Sequence, residues 1–414
     1  MSASGSEAAT SVANAVRDSY GRLLAFLSSR TRDIAAAEDA LASAVEAALN
    51  HWPETGVPRH PEAWLLTAAR RRLVDEGRRK TVRESAKETG VLLALLHDET
   101  QFPEEATPFP DERLKLLFVC AHPAIDEGAR IPLMMQTVLG LDAKKIASAF
   151  LVSPQAMGQR LVRAKAKIRN AGISFEPPEG MDLSSRLTDI LEGVYAAYGA
   201  GWEAMGSENA KQENLADEAM YLARLLCTLV PQAAEAWGLL ALILFCESRR
   251  NARRAKDGSY VPLREQDTRT WNQPMRIDAE RCLLHAGTLK SMGPLQLEAA
   301  IQSAHTQRAL GQSVPAEAIV TLYNALIGIR SSIGIGIGRA CALAEARGAA
   351  EGLAALRAME SEETAMHQPY WAALAHLHSL AGEHAAAKLA YSQAAGLTED
   401  PAVRAFLLAQ RAKI

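Results

Sequence analysis

Beyond Ile173 the chain is alanine-rich and periodic at three- and four-residue spacing. No alternating apolar and polar stretch competes, so over half of the 414 residues can fold only as packed helices. The periodicity predicts helices at about Leu187–Tyr198, Leu215–Thr228, Ala233–Arg250, Asp278–Lys290, Leu295–Gln307, Ala316–Gly328, Arg339–Ala346 and Pro369–Ala395. Successive helices of this kind pack as antiparallel hairpins. The last stretch is the most explicit. Trp371, Leu374 and Leu377 lead to a turn at Gly382, and Ala386, Ala390 and Tyr391 follow as small and large packing residues. Before these helices, Phe175-Glu176-Pro177-Pro178-Glu179-Gly180 breaks the pattern and sets a boundary.

The amino-terminal part carries a different signal. His60–Lys80 combines a helix start with six Arg and Lys residues and a tryptophan. Pro61 suits the first helical turn, and Glu62 favours the positive end of the helix dipole. On a helical wheel Leu66, Ala69 and Leu73 share one side, whereas Trp64, Thr67, Arg71, Asp75 and Arg78 fall on the other. An exposed aromatic among guanidinium groups is what base stacking and phosphate neutralisation require. The same pattern also fits a solvated basic face with Trp64 packed on a neighbouring helix.

Leu139–Arg169 reads as helix, turn, helix. Asp142 can cap the first helix, whose apolar side is Ile146, Ala147 and Phe150, and Leu151-Val152 make the turn. Lys145 stands where a Glu would complete a capping box with Asp142. Ser153 caps the second helix, with Pro154 at its first position. There Met157, Leu161, Ala164 and Ile168 form a core stripe; Gln155, Gln159 and Arg163 lie opposite, flanked by Arg160 and Lys167. From Lys144 to Arg169 there are seven basic residues and no acidic one. Gln and Arg can pair with base edges in a major groove while flanking cations hold phosphates. An ordinary helical hairpin with a solvated basic side is the alternative reading.

In order along the chain stand Ala37-Glu38-Asp39-Ala40-Leu41, then Pro61-Glu62-Ala63-Trp64-Leu65 running into Ala69-Arg70 and Asp75. Asp111-Glu112-Arg113-Leu114 and the ending Gln159-Arg160-Leu161-Val162-Arg163-Ala164-Lys165 follow. On these motifs the first roughly 170 residues resemble a sigma factor of the extracytoplasmic-function group of the sigma-70 family. The resemblance implies an all-α fold: a region 2 bundle at residues 1–80, a linker at 81–110, a region 4 helix-turn-helix at 111–173 and a second linker at 174–181. It implies that Glu38, Asp39 and Leu41 dock on core RNA polymerase, at the β′ clamp helices, with the β subunit as a further contact. Trp64, Thr67, Arg70, Arg71, Arg78 and Arg79 would bind the minus-ten promoter element. Ser153, Gln155, Gln159, Arg160, Arg163 and Lys167 would bind the minus-thirty-five element. Residues 182–414 look like a tetratricopeptide-like solenoid, a helical stack that serves as a binding surface. Sigma factors with such an extension form a recognisable subgroup. The sequence departs from the family where Ala42, Ser43 and Val45 follow the Glu-Asp pair, and where Arg71 replaces a common Asn after Ala-Arg.

The rest of the sequence narrows function further. A formal charge of −3 means that the basic surfaces are balanced by acidic ones elsewhere. Five scattered cysteines argue for reduced thiols, and Cys120 with His122 has no second pair at metal-ligand spacing, so no metal or other cofactor is expected. No signal pattern or membrane-length apolar run is present, which predicts a cytoplasmic protein without a membrane partner. The linker has a short helix near Val91–Leu96 and acidic residues Asp98, Glu99, Glu104 and Glu105, which either mimic nucleic-acid charge inside polymerase or simply solvate a tether. Ile333-Gly334-Ile335-Gly336-Ile337-Gly338 lacks the strand and acidic partner of a dinucleotide site and reads as a helix entry built for close packing. Arg249–Trp271 is a long polar insertion. Arg253, Arg254 and Trp271 make it a candidate contact with the amino-terminal modules, with polymerase or with a regulatory protein, the alternative being an exposed loop anchored by Trp271. No catalytic constellation is spaced for chemistry. The competing function is a repeat-bearing helix-turn-helix regulator that acts on duplex DNA without polymerase.

Overall fold

The computed structural model describes residues 19–81, 111–150, 152–178, 181–203 and 210–414. Expectations for the amino-terminal segment, for residues 82–110 with their short helix and acidic cluster, and for Leu151, Glu179 and Gly180 lie outside the described residues. The chain is all-α: among the described residues there is no strand, only an isolated antiparallel bridge between Arg254 and Tyr260. The described residues form two compact units, one reaching Glu203 and including Lys211–Glu218, the other running from Ala219 to Ile414.

The first unit begins with three helices, α1 (residues 19–31), α2 (Ile34–Thr55) and α3 (Pro61–Thr81). Arg32 turns left-handed at φ 55°, and the Asp33 carboxylate accepts the Ala35 and Ala36 amides, so α2 starts almost where α1 stops. Ala37, Ala40, Ala44 and Ala48 make a small-residue stripe on α2. Leu23, Leu24, Phe26 and Leu27 of α1 and Leu65, Leu66, Ala69 and Leu73 of α3 pack around that stripe together with Leu41 and Trp52. Each leucine so buried stabilises the bundle by about 1.5–3 kcal/mol relative to exposure.

The helix-turn-helix module follows as α4 (Arg113–Cys120), α5 (Glu127–Leu139), α6 (Ala143–Ala149) and α7 (Pro154–Asn170). Leu116 to Cys120 are all buried, which makes α4 the central rod of this module. Asp142 Oδ1 accepts the Lys145 amide at 2.7 Å, and Ser153 Oγ accepts the Ala156 amide at 3.2 Å, so both helix starts are capped as the sequence indicates. Met157, Leu161, Ala164 and Ile168 are buried.

The boundary near Glu179 is displaced by tertiary packing. Helix α8 (Met181–Glu203), placed by sequence in the extension, belongs to the first unit and packs on α4, α5 and α6. Phe175 of the supposed linker is buried, as are Ile173 just before it and Ile190, Leu191, Val194, Ala197 and Tyr198 of α8. Arg130 pairs with Asp189 at 3.0 Å, and Gly193 lies so close to Ile131 that any Cβ would overlap that side chain. Proline-rich composition marks a change of direction, but apolar residues on either side still find a common core.

From Ala219 onward the carboxy-terminal part of α9 (Ala210–Leu229) leads into α10 (Ala234–Ser248), α11 (Gln273–Thr288), α12 (Pro294–Ala309), α13 (Ala316–Ile329) and α14 (Ile333–Arg347). The last elements are α15 (Ala349–Arg357), α16 (Glu362–Ala365), α17 (Gln368–Leu380), α18 (His384–Leu397) and α19 (Pro401–Ala412). From α10 on most neighbours in sequence pack together, and α10 also touches α12, as α14 touches α17. Gly382 turns between α17 and α18 at φ 76°. The glycine-alternating segment enters α14 behind a Ser332 cap; Gly336 lets Met359 approach and Gly338 lets Tyr323 approach. Helices α15, α16 and α19 have no counterpart in the sequence reading, although Asp400 with Pro401 is a helix-start signal.

The insertion after α10 is folded as three short 3-10 turns, Arg250–Arg253, Leu263–Glu265 and Thr268–Thr270. Arg254 pairs with Asp400 at the start of α19, the Tyr260 ring meets Phe406 edge-on at 5.4 Å, and Arg264 pairs with Glu345 of α14. Trp271 is buried and Arg253 is half-buried. Two of the three candidates for an outward contact are thus engaged inside their own unit: Trp271 through apolar burial and Arg254 through an ion pair.

Candidate nucleic-acid interface

Helix α3 presents Thr67, Arg71, Arg72 and Asp75 to solvent. Trp64 is not on the open face. It is half-buried, its ring meets Trp52 edge-on at 5.5 Å and stacks on His51 at 6.2 Å, and it packs on the three-helix core. The wheel assigned it by angle alone, whereas a large ring reaches sideways to whatever neighbour α2 supplies. Arg70 is also half-buried, with its guanidinium 5.0 Å from the centre of the Phe26 ring, and Arg30 of α1 lies over the same ring at 4.6 Å. Two cations are thereby held at one place on the bundle surface. Sequence reading missed Arg30 because it lies 40 residues before its neighbour Arg70. Arg78 and Arg79 lie on the described helix, but their side chains are outside the described residues.

On α2 the three polymerase candidates have separate fates. Asp39 is exposed. Leu41 is 1% exposed within the bundle core and has no surface to offer polymerase, because the Ala37-Ala40-Leu41 stripe faces α1 and α3. Glu38 is half-buried, with Oε2 at 2.5 Å from Lys165 Nζ of α7. Burial pushes its carboxyl above the usual carboxylate range, against the opposing effect of the Lys165 ammonium. Lys165 belonged to the sequence motif without a role; its partner is 127 residues away.

Helix α7 keeps Gln155, Gln159 and Arg163 exposed, as the 3.6-residue period predicts. With Gly158 and Val162 they line one open pocket, a surface of two amides, a guanidinium and an apolar patch. That set can meet base edges and a thymine methyl group in a major groove. Lys167 is exposed beside it. Ser153 is exposed, but its oxygen already accepts the Ala156 amide. Arg160 is half-buried and donates to the Gly128 carbonyl at 3.1 Å, which ties α7 to the start of α5.

Among the described residues no group of three or more His, Cys, Asp or Glu could hold a metal ion, and no helix is long and apolar enough to cross a membrane. The cysteines are unbridged; burial pushes the Cys120 thiol up to about 12.

Comparison with known proteins gives this geometry a lineage. Residues 15–83 match Sigma-70 region 2, which covers the α1–α3 bundle. Residues 186–287 match a Family of unknown function (DUF6596). An uncharacterised protein of Rhizobium meliloti (strain 1021) is 37% identical over 326 residues, covering 78% of this chain and 77% of its relative. No solved structure matches. The region 2 match falls on the helices that carry the basic face and the Glu38-Asp39 pair; the chain thus carries a sigma-70 region 2 and belongs to one family with the uncharacterised Rhizobium meliloti protein.

Proposed function

We propose that the chain is an RNA polymerase sigma factor of the extracytoplasmic-function group that directs a restricted set of promoters. In this reading Glu38 and Asp39 meet the β′ clamp helices of core polymerase. Thr67, Arg70, Arg71 and, by sequence position, Arg78 and Arg79 serve the minus-ten element, with Trp64 and Arg30 beside them. Gln155, Gln159 and Arg163 read the minus-thirty-five element, while Lys167 and Arg160 hold phosphates. The helical stack beyond Ala219 serves regulation through a protein partner. It is not an enzyme in this reading, and it works in the cytoplasm.

The observation that carries this reading is the exposed Gln155-Gln159-Arg163 stripe on a capped helix-turn-helix, in one chain with a region 2 bundle whose α3 exposes Arg71 and Arg72. A regulator of duplex DNA needs the first feature and has no use for the second. In vitro transcription with core polymerase distinguishes them. A sigma factor yields promoter-directed transcripts only when both proteins are present; a regulator that binds duplex promoter tightly alone, and leaves core enzyme inactive, refutes the proposal.

A further inference from the structure

Of the α2 residues read above as the polymerase contact, Glu38 is already covered from within the first unit, whereas Asp39 stays exposed. Lys165 and Glu38 are joined at 2.5 Å with 9% and 18% of their side chains exposed. Four residues further along α7, Arg169 reaches Asp33, the α2 cap, at 3.4 Å. Two glycines allow close approach around these pairs, one against backbone and one against a ring. A Cβ on Gly21 of α1 would stand 3.0 Å from the Val138 carbonyl carbon of α5 and nearer still to its oxygen. A Cβ on Gly140, the left-handed end of α5, would stand 2.9 Å from the Tyr20 ring. Tyr20 is half-buried there, and desolvation together with the Glu38 charge pushes its phenol well up.

The closure is tight in shape and poor in electrostatics. Glu38 Oε1 is buried and has no hydrogen-bond partner among the described residues. A charge pair taken out of water with an acceptor unsatisfied adds little to stability, so a partner offering better donors can displace it. The stripe of Gln155, Gln159 and Arg163 remains exposed in the same state.

We propose that this contact is an autoinhibitory latch: the helix-turn-helix module docks on α1 and α2 through Lys165–Glu38 and Arg169–Asp33, and core polymerase must displace it to engage Glu38 together with the exposed Asp39. The latch rests on the sigma-factor reading of α2. A closed population reduces apparent affinity by the fraction that is open, so opening the latch tightens polymerase binding without new contacts. Duplex DNA binding by α7 does not require opening.

The test uses the full chain and leaves Glu38 and Asp39 intact. Lys165→Gln removes the charge pair. Gly21→Leu is a sound helix substitution whose side chain must push α5 away. Lys165 acylation by an amine-reactive ester, read by mass spectrometry, reports the latch; binding of labelled protein to core RNA polymerase reports its consequence. Gly21→Leu is expected to raise Lys165 labelling several-fold, and both variants to bind core polymerase about threefold or more tightly. Unchanged labelling in Gly21→Leu, or labelling that rises while neither variant binds core more tightly than the parent, overturns the latch. If parent and opened variants all fail to bind core, the sigma reading of α2 is refuted, and the latch as a polymerase regulator with it.

Discussion

Replacing Ile190 with alanine tests where the first unit ends. Ile190 is fully buried on α8, which packs on α4, α5 and α6, and Leu191 and Val194 are buried alongside it. Truncating such a residue leaves a cavity and typically costs about 2–5 kcal/mol. At ~1.4 kcal/mol per decade, the smaller figure lowers the protection of globally exchanging amides by about thirtyfold. Native-state hydrogen exchange read by mass spectrometry should show that loss in α4 and α5, around Leu116–Val119 and Leu133–Val138. If α8 instead belonged with the extension that begins after Gly180, exchange in α4 and α5 would keep its parental rate and only helices beyond Ala219 would loosen. That result would refute the packing argument. It would also restore Gly180 as a sensible place to stop the chain; with α8 as observed, stopping there bares the apolar side of α4 and α5.

Three further outcomes are expected. Gln159→Ala and Arg163→Ala should each relax preference at particular promoter base pairs by roughly 1–3 kcal/mol, whereas Lys167→Ala should weaken all sequences alike and lower the salt slope by about one unit; titrations against single-base promoter variants at several salt concentrations separate the two. Trp64→Ala should lower the melting temperature of the region 2 bundle, because the ring packs on Trp52 and His51, and should cost about 1–3 kcal/mol on single-stranded minus-ten DNA if a face of the ring also stacks on a base; parental affinity in a folded variant leaves Trp64 with a packing role alone. Asp400 is raised by burial but more strongly lowered by Arg254 and by the Val403 and Ala402 amides, which hold its carboxyl below the usual range. Its folded value lies below its unfolded one, so its contribution to stability is present above about pH 3.9 and is lost as pH falls through the folded value; Asp400→Asn should flatten that part of an acid-unfolding curve, and an unchanged curve would show the Arg254 pair to be inert.

Local chemistry determined much of this protein. The caps at Asp142 and Ser153, the stripe from Met157 to Ile168 and the exposed Gln155, Gln159 and Arg163 follow from helix geometry and backbone hydrogen bonding within a few residues, so they were legible without the fold. The all-α class and the Gly382 turn were legible for the same reason. What needed the tertiary structure depends on partners distant in sequence. Trp64 turned out half-buried because α2 brings Trp52 to it, and Leu41 proved unavailable because α1 and α3 close over its side of α2. Arg254 and Trp271 turned inward because Asp400 and the apolar interior of their own unit receive them. Helix α8 joined the first unit because its apolar residues fit a surface on α4 and α5 that no composition shift could reveal, and Glu38 met Lys165 across 127 residues of chain. Periodicity states which side of a helix is apolar; only packing decides what lies against it.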